Sequence, residues 1–344
     1  MLGAIHKELS LQQTYLGVAK VTSIYLGGGT PSLLEVAEIG ALVKQVQQIF
    51  PCDERLEITL EANPDDIHLE KLVALREVGI NRISIGIQTF QDELLIYLNR
   101  THNAAKALAS LEMIVKAGFQ NFNLDLIYAI PGQTEELLQK DLAMAMQFQP
   151  THLSAYCLTI EPRTAFGQWL ETGKIKAVEE EIAAKHFDLL VATLLAKGYD
   201  HYEVSNFSLP DYEAQHNTNY WKRGTYLGVG PGAHSYNGIT RQHNLANNPL
   251  YIQSIEKSLI PSTVEVLEPR DHINEYIMTS LRTKWGCDMA FLKTNYQHDL
   301  KRKHPDYVEQ LLARQLAYIA EEKLILTTAG KLLADQIAAN FFVV

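Results

Sequence analysis

The chain has 344 residues, 47% hydrophobic and 20% charged, which is enough apolar material for a large core and too much for a disordered chain. Forty acidic against thirty basic residues leave a net charge of −10, the wrong sign for a nucleic-acid binder. No apolar run approaches the roughly 18 residues of a membrane span, and the opening MLGAIHKELS lacks the basic and apolar regions of a secretory signal.

Residues 22–26 (TSIYL) are β-branched and apolar and stop at Gly27-Gly28-Gly29. Ser32 and Glu35 have the spacing of a capping box, which predicts a helix through about Val46. LEITLEA (56–62) reads as a strand broken by Asn63-Pro64-Asp65, and a helical run then ends at Gly79. RISIGIQ (82–88), FNLDLIY (122–128) and HLSAYCL (152–158) read as further strands, separated by helices over 103–117 and 135–147. Strands alternating with helices predict an α/β fold with a parallel sheet or (β/α) barrel. After Pro162 a polar turn precedes a long helix over 178–197, and 201–238 is rich in Tyr, Asn, Gly and His without helical periodicity. From 269 the chain reads as helical again and ends with a strand pair and a last helix. A boundary at Pro261 is expected, giving domains 1–261 and 262–344, the second small, mostly helical and winged-helix-like.

Cysteines occur at 52, 157 and 287, with neither C-x-x-C nor zinc spacing. They exclude a disulfide scaffold and fit a reducing cytoplasm. In parallel α/β folds, ligands bind where the strands end. There the predicted strands carry Gly27-Gly28-Gly29-Thr30, Glu61 with Asn63, Gln88, Asp125 and Thr159. This set suits a polar ligand bearing amine, hydroxyl and carboxylate groups. It is neither G-x-G-x-x-G nor a Walker loop, so it does not specifically indicate nucleotide phosphate.

IYLGGGTPSLL (24–34), LEITLEANPDD (56–66), RISIGIQTFQDELLIYLNRTH (82–102), FNLDLIYAIPGQT (122–134), HLSAYCLTIEPRT (152–164), YEVSNFS (202–208), HNTNYW (216–221) and YLGVGPGAHS (226–235) follow in order. Together they resemble the radical SAM family of oxygen-independent coproporphyrinogen III oxidase-like proteins, most closely its HemW-type haem chaperones. The resemblance implies a partial (β/α)6 radical SAM barrel with a small helical C-terminal domain. It implies an S-adenosylmethionine (SAM) pocket made by Gly28, Gly29, Thr30, Glu61, Gln88, Arg100, Asp125 and Thr159. Arg100 would fork onto a carboxylate, while Glu61 and Asp125 suit an amino group and ribose. It also associates H-N-x-x-Y-W, here His216, Asn217, Tyr220 and Trp221, with haem. His216 would be the candidate iron ligand.

The family carries a C-x-x-x-C-x-x-C loop that holds a [4Fe-4S] cluster, and this chain has no such motif. AIHKELSLQQ (4–13) matches the family's first barrel helix, so the first strand and cluster loop are expected only in a full-length form. The chain as given is expected not to cleave SAM, no residue being assigned a catalytic role, and strand 22–26 is expected as a bare sheet edge that lowers stability or promotes self-association.

The expected function is haem binding and transfer to an acceptor protein, with SAM and the cluster as cofactors of the full-length form. The alternatives are an oxygen-independent coproporphyrinogen III oxidase and a cluster-free module binding haem or protein. Nucleic acid is not an expected partner. Peripheral contact with a membrane-bound acceptor and a homodimer are both compatible with the resemblance.

Overall fold

A computed structural model describes residues 1–162 and 164–344; Arg163, within the HLSAYCLTIEPRT segment, lies outside the described residues. In chain order the elements begin with α1 (Leu2–Leu11), β1 (Val21–Leu26), α2 (Val36–Ile49), β2 (Cys52–Ala62), α3 (Leu69–Glu77) and β3 (Arg82–Gln88). They continue with α4 (Asp92–Tyr97), α5 (Ala104–Lys116), β4 (Phe122–Tyr128), α6 (Glu135–Gln147), β5 (His152–Cys157), α7 (Ala165–Glu171) and α8 (Glu180–Ala196). Next come β6 (Asp200–Glu203), β7 (Asn206–Ser208), α9 (Gln215–Trp221), β8 (His234–Tyr236), β9 (Thr240–Asn244), α10 (Asn248–Glu256) and β10 (Ser262–Val266). The chain closes with α11 (Pro269–Leu281), β11 (Cys287–Asp288), α12 (Met289–Tyr296), α13 (Leu300–Lys303), α14 (Pro305–Ala313), β12 (Ala317–Ala320), β13 (Lys323–Leu326), α15 (Thr328–Lys331) and α16 (Ala334–Ala339).

These elements form two compact units. One comprises Leu26–Leu33 and Thr59–Ala214; the other comprises Met1–Tyr25, Leu34–Ile58 and Gln215–Val344. The largest sheet has seven strands in the order β1-β2-β3-β4-β5-β7-β6, which places β1 at one edge.

In the unit built on Thr59–Ala214, β2, β3, β4 and β5 pair in parallel, and β7 and β6 extend the sheet antiparallel. Ile83, Ile85, Leu124 and Leu153 are completely buried, as central strands covered on both faces require. Helices α5 and α6 begin at Asn103 and Thr134, whose side chains accept the backbone N–H of Lys106 and Leu137. That capping satisfies one of the unpaired donors of each first turn. Their apolar stripes, including Leu111, Ile114, Leu138 and Leu142, complete the core.

In the other unit, the Glu8 side chain is completely buried on α1. It accepts from Gln12 Nε2 (2.8 Å), Gly230 N–H (2.9 Å), Asn244 Nδ2 (2.7 Å) and the Tyr251 hydroxyl. Four donors make this buried carboxylate tolerable and tie α1 to β9, α10 and the Gly228–Gly230 loop. Strands β8, β9 and β10 form a second antiparallel sheet, and β11, β13 and β12 a third.

Three local readings need correction. The helix expected at Ser32 opens at Val36, with Glu35 and Glu38 forming the capping box. Ser32 instead lies in a 3₁₀ turn (Pro31–Leu33) and donates to Asp66 Oδ2 (2.8 Å). The turn expected after Pro162 contains α7, and the stretch expected to lack helix contains α9.

Candidate functional site

A polar cavity of about 200 Å³ lies where the parallel strands end. Its lining includes Gly29, Thr30, Glu61, Gln88, Arg100 and Asp125. All belong to the unit that contains Thr59–Ala214. The volume is below the ~300–1,000 Å³ usual for a whole small-molecule ligand, so the cavity suits the polar end of one.

The glycine loop supplies backbone. Gly28 has φ +79°, in the left-handed region open to glycine, and its N–H donates to Glu61 Oε2 (3.1 Å). The following turn is pinned from beneath: Ser32 and Asn63 both donate to Asp66, and Lys71 Nζ donates to the Ser32 carbonyl.

Gln88 ends β3 with φ +69°, at an irregularity in the pairing with β4 between Gly86 and Gln88. A non-glycine residue held there stores backbone strain of a kind that clusters at binding sites. The residues after it are clamped by Asp141 of α6, which accepts from Thr89 Oγ1 (2.6 Å), Phe90 N–H (2.9 Å) and Gln91 Nε2 (2.9 Å). Gly86 leaves room over the strand: a Cβ there would meet Gln88 Nε2 at 2.7 Å and Arg100 at 3.1 Å. Arg100 donates to Asn63 Oδ1 (3.3 Å) and the Gly86 carbonyl (3.4 Å). Burial lowers its pKa from the ordinary guanidinium value, against the opposing charges of Asp125 and Asp65; it stays a cation in water at any working pH.

Asp125 keeps part of its side chain open to the cavity, yet protein crowds its carboxyl. That desolvation raises its pKa to about 6; a hydrogen bond from Asn123, the neighbouring Ser154 hydroxyl and the charge of Arg82 oppose it, and the charge of Glu61 adds to it. Glu61, Gln88, Arg100, Asp125, Gly29 and Thr30 are thus gathered at one cavity, with Gly28 bonded to Glu61. Thr159 is not among the lining residues; it is exposed, and its hydroxyl donates to the Cys157 carbonyl (3.4 Å).

His216, Asn217, Tyr220 and Trp221 lie on α9, in the other unit. Glu57 of β2 caps this helix, its two carboxylate oxygens accepting the N–H groups of Gln215 (3.1 Å) and His216 (3.2 Å). His216 Nδ1 lies 3.1 Å from Ser23 Oγ. The imidazole stacks on Tyr25, and Tyr220, one turn on, meets it edge-on at 4.9 Å. Tyr226 continues the cluster against Tyr220 at 4.5 Å. Trp221 points to a different neighbour, with the Arg282 guanidinium 5.5 Å from its ring. The helix therefore brings His216 and Tyr220 together and sets Trp221 apart.

The residues present do not fit a [4Fe-4S] cluster. Cys52 is half-buried, Cys157 exposed and Cys287 buried, and no group of three or more His, Cys, Asp or Glu among the described residues could hold a metal ion. Among the described residues no helix is long and apolar enough to cross a membrane.

The supports Asp141, Asn123, His152 and Glu57 were not among the sequence candidates. Strand periodicity contained one usable signal: Asn123 with Asp125, and His152 with Ser154, are two apart and so share faces of β4 and β5. Asp141 carried none, since an acid in EELLQKDLAMAMQ reads as the solvent face of an amphipathic helix.

Comparison with known proteins places these features in a family. Residues 8–145 match the radical SAM superfamily. The chain is 32% identical over 343 residues to the heme chaperone HemW of Bacillus subtilis (strain 168), spanning 99% of this chain and 90% of that protein. It is 32% identical over 335 residues to the heme chaperone HemW of Mycobacterium tuberculosis (strain ATCC 25618 / H37Rv), spanning 97% and 84%. Among solved structures, the coproporphyrinogen III oxidase HemN of Escherichia coli, a radical SAM enzyme, shares the fold with a TM-score of 0.83 at 24% identity, over 99% of this chain and 82% of that one. The expected partial radical SAM barrel is thus borne out, and the chain belongs to the family of the heme chaperone HemW proteins.

Proposed function

We propose that the chain is a haem chaperone, which takes up haem on α9 and passes it to an acceptor protein, with SAM held in the polar cavity. The observation that carries this reading is the setting of His216 in a chain whose relatives are named heme chaperones. In the tautomer whose Nδ1–H donates to Ser23 Oγ, the imidazole would carry at Nε2 the lone pair that ligates iron. The rings of Tyr25 and Tyr220 restrict its rotation and offer aromatic surface to a porphyrin. Haem here is cargo, and a single side-chain ligand suits release better than an enclosed site.

The cavity residues fit SAM through their donor set. Glu61 and Asp125 would hold cationic and hydroxyl groups, Arg100 a carboxylate, and Gly28 and Gly29 would let the backbone approach closely. Bound SAM supplies an activated sulfonium; this chain's own residues bind and orient it. With its three cysteines scattered, the chain is not expected to generate 5′-deoxyadenosine.

Transfer is the test. The haem-loaded chain is mixed with an apo haem protein and the two are separated by chromatography. Chaperone function requires haem to leave with the acceptor faster than it leaves into buffer. Equal rates would sink the reading.

A further inference from the structure

Beneath Asp125 runs a file of buried polar groups whose directions are forced. Asn123 Nδ2 donates to Asp125 Oδ1 (2.6 Å) and to Ser84 Oγ (2.8 Å), which uses both amide hydrogens. The amide oxygen of Asn123 accepts from Ser154 Oγ (3.1 Å) and lies 2.6 Å from His152 Nδ1. A carbonyl oxygen only accepts, so His152 Nδ1 carries the proton. His152 Nε2, then an acceptor, takes the hydroxyl proton of Tyr202 at 2.7 Å. His152 and Tyr202 are completely buried, and Ser84, Asn123 and Ser154 nearly so. Burial and the charge of Arg82 hold His152 neutral, which leaves tautomer choice as its one variable.

The opposite tautomer would turn the Asn123 amide over. Its carbonyl would then face Asp125, an arrangement that only a protonated carboxyl can satisfy. The tautomer of His152 and the charge of Asp125 are therefore linked through one amide group.

We propose that His152, anchored by Tyr202, is a positioning residue: it locks the Asn123 amide so that its NH₂ faces Asp125 and keeps Asp125 an aimed carboxylate for the ligand's cationic or hydroxyl group. The ligand part of this inference rests on the SAM reading of the cavity. Other groups face Asp125 as well. Arg82 of β3 favours its charge and Glu61 of β2 opposes it, while Arg100 and Tyr156 of β5 interact with it electrostatically and Glu203 of β6 acts on Tyr156. All of these remain when His152 alone is changed, so a change in the titration of Asp125 reports on the file.

The experiment compares wild type with His152→Phe, each labelled with ¹³C-carboxyl aspartate, the Asp125 signal being identified by Asp125→Asn. The Asp125 midpoint is expected to rise by about one pH unit in His152→Phe as the donated hydrogen bond is lost. Ionised Asp125 at pH 6 then falls from about one half to about one tenth. SAM affinity by calorimetry should drop about five-fold at pH 6 and less than two-fold at pH 8.5. An unmoved midpoint, with affinity lowered equally at both pH values, would overturn the proposal in favour of a packing role. Should His152→Phe fail to fold, the imidazole ¹⁵N shifts of wild type at pH 8 decide: Nδ1–H supports the lock and Nε2–H overturns it. If wild type binds no SAM at either pH, the cavity reading fails, while a moved midpoint still upholds the lock.

Discussion

His216 lies flat against Tyr25, with ring centroids 4.6 Å apart and 18° between their planes. The stack and the Ser23 contact at Nδ1 hold the ring in place. Ser23→Ala removes that contact and leaves the stack. Groups that orient a metal-ligating histidine typically contribute about 10–100-fold in affinity. Haem affinity should fall by about that factor, read from the Soret band during titration, with the far-UV spectrum unchanged.

Glu57 gives α9 its starting point. The helix has no buried residue and only seven residues, too few to hold itself together. Glu57→Ala removes the acceptor of two backbone N–H groups and should lower stability by about 1–2 kcal/mol. Haem affinity should weaken with it, because His216 is the second residue of that helix. Urea unfolding and haem titration of the same variant check both parts.

Glu8 is expected to matter more for stability than any residue of the cavity. Glu8→Ala leaves Gln12, Gly230, Asn244 and Tyr251 without their shared acceptor. Loss of about 3 kcal/mol or more is expected, seen as a lower urea midpoint. Glu8→Gln restores shape and part of the hydrogen bonding and should recover some of that loss.

Asp125 should trade stability for binding. Its folded pKa, about 6, lies above the ordinary carboxyl value of 3.8, so folding disfavours its ionised form. That penalty is absent below about pH 4, grows between pH 4 and 6 and is complete above. Asp125→Asn should therefore stabilise the chain by on the order of 2 kcal/mol at pH 8 and hardly at all at pH 4. SAM binding should be lost. Thermal melts across that range, paired with calorimetry, check the sign as well as the size.

The sequence was most legible where burial and period agree. RISIGIQ and FNLDLIY match β3 and β4 at both ends, and 135–147 matches α6, because apolar spacing, Thr134 and Pro150 all point the same way. QHNTNYW was not legible as a helix. Its residues are mediocre helix formers without an apolar stripe, and the cap that starts it, Glu57, is over 150 residues away. Ser32 misled for a related reason: its spacing to Glu35 was right for a cap, but its hydroxyl is taken by Asp66. Gly29, Thr30, Glu61, Gln88 and Asp125 could be found at strand ends, since topology gathers them, whereas Arg100, between two helices, came only from the family resemblance. Of the groups that aim them, Asn123 and His152 showed only as face-sharing partners of Asp125 and Ser154, and Asp141 not at all, because it acts on Thr89, Phe90 and Gln91 from another element.

Haem titration of the purified 344-residue chain beside His216→Ala tests the central claim most directly. Wild type should give a saturable, shifted Soret band characteristic of histidine-ligated iron, and His216→Ala should lose that shift while keeping its fold. An identical Soret titration in the two proteins would place haem elsewhere and remove α9 from the mechanism.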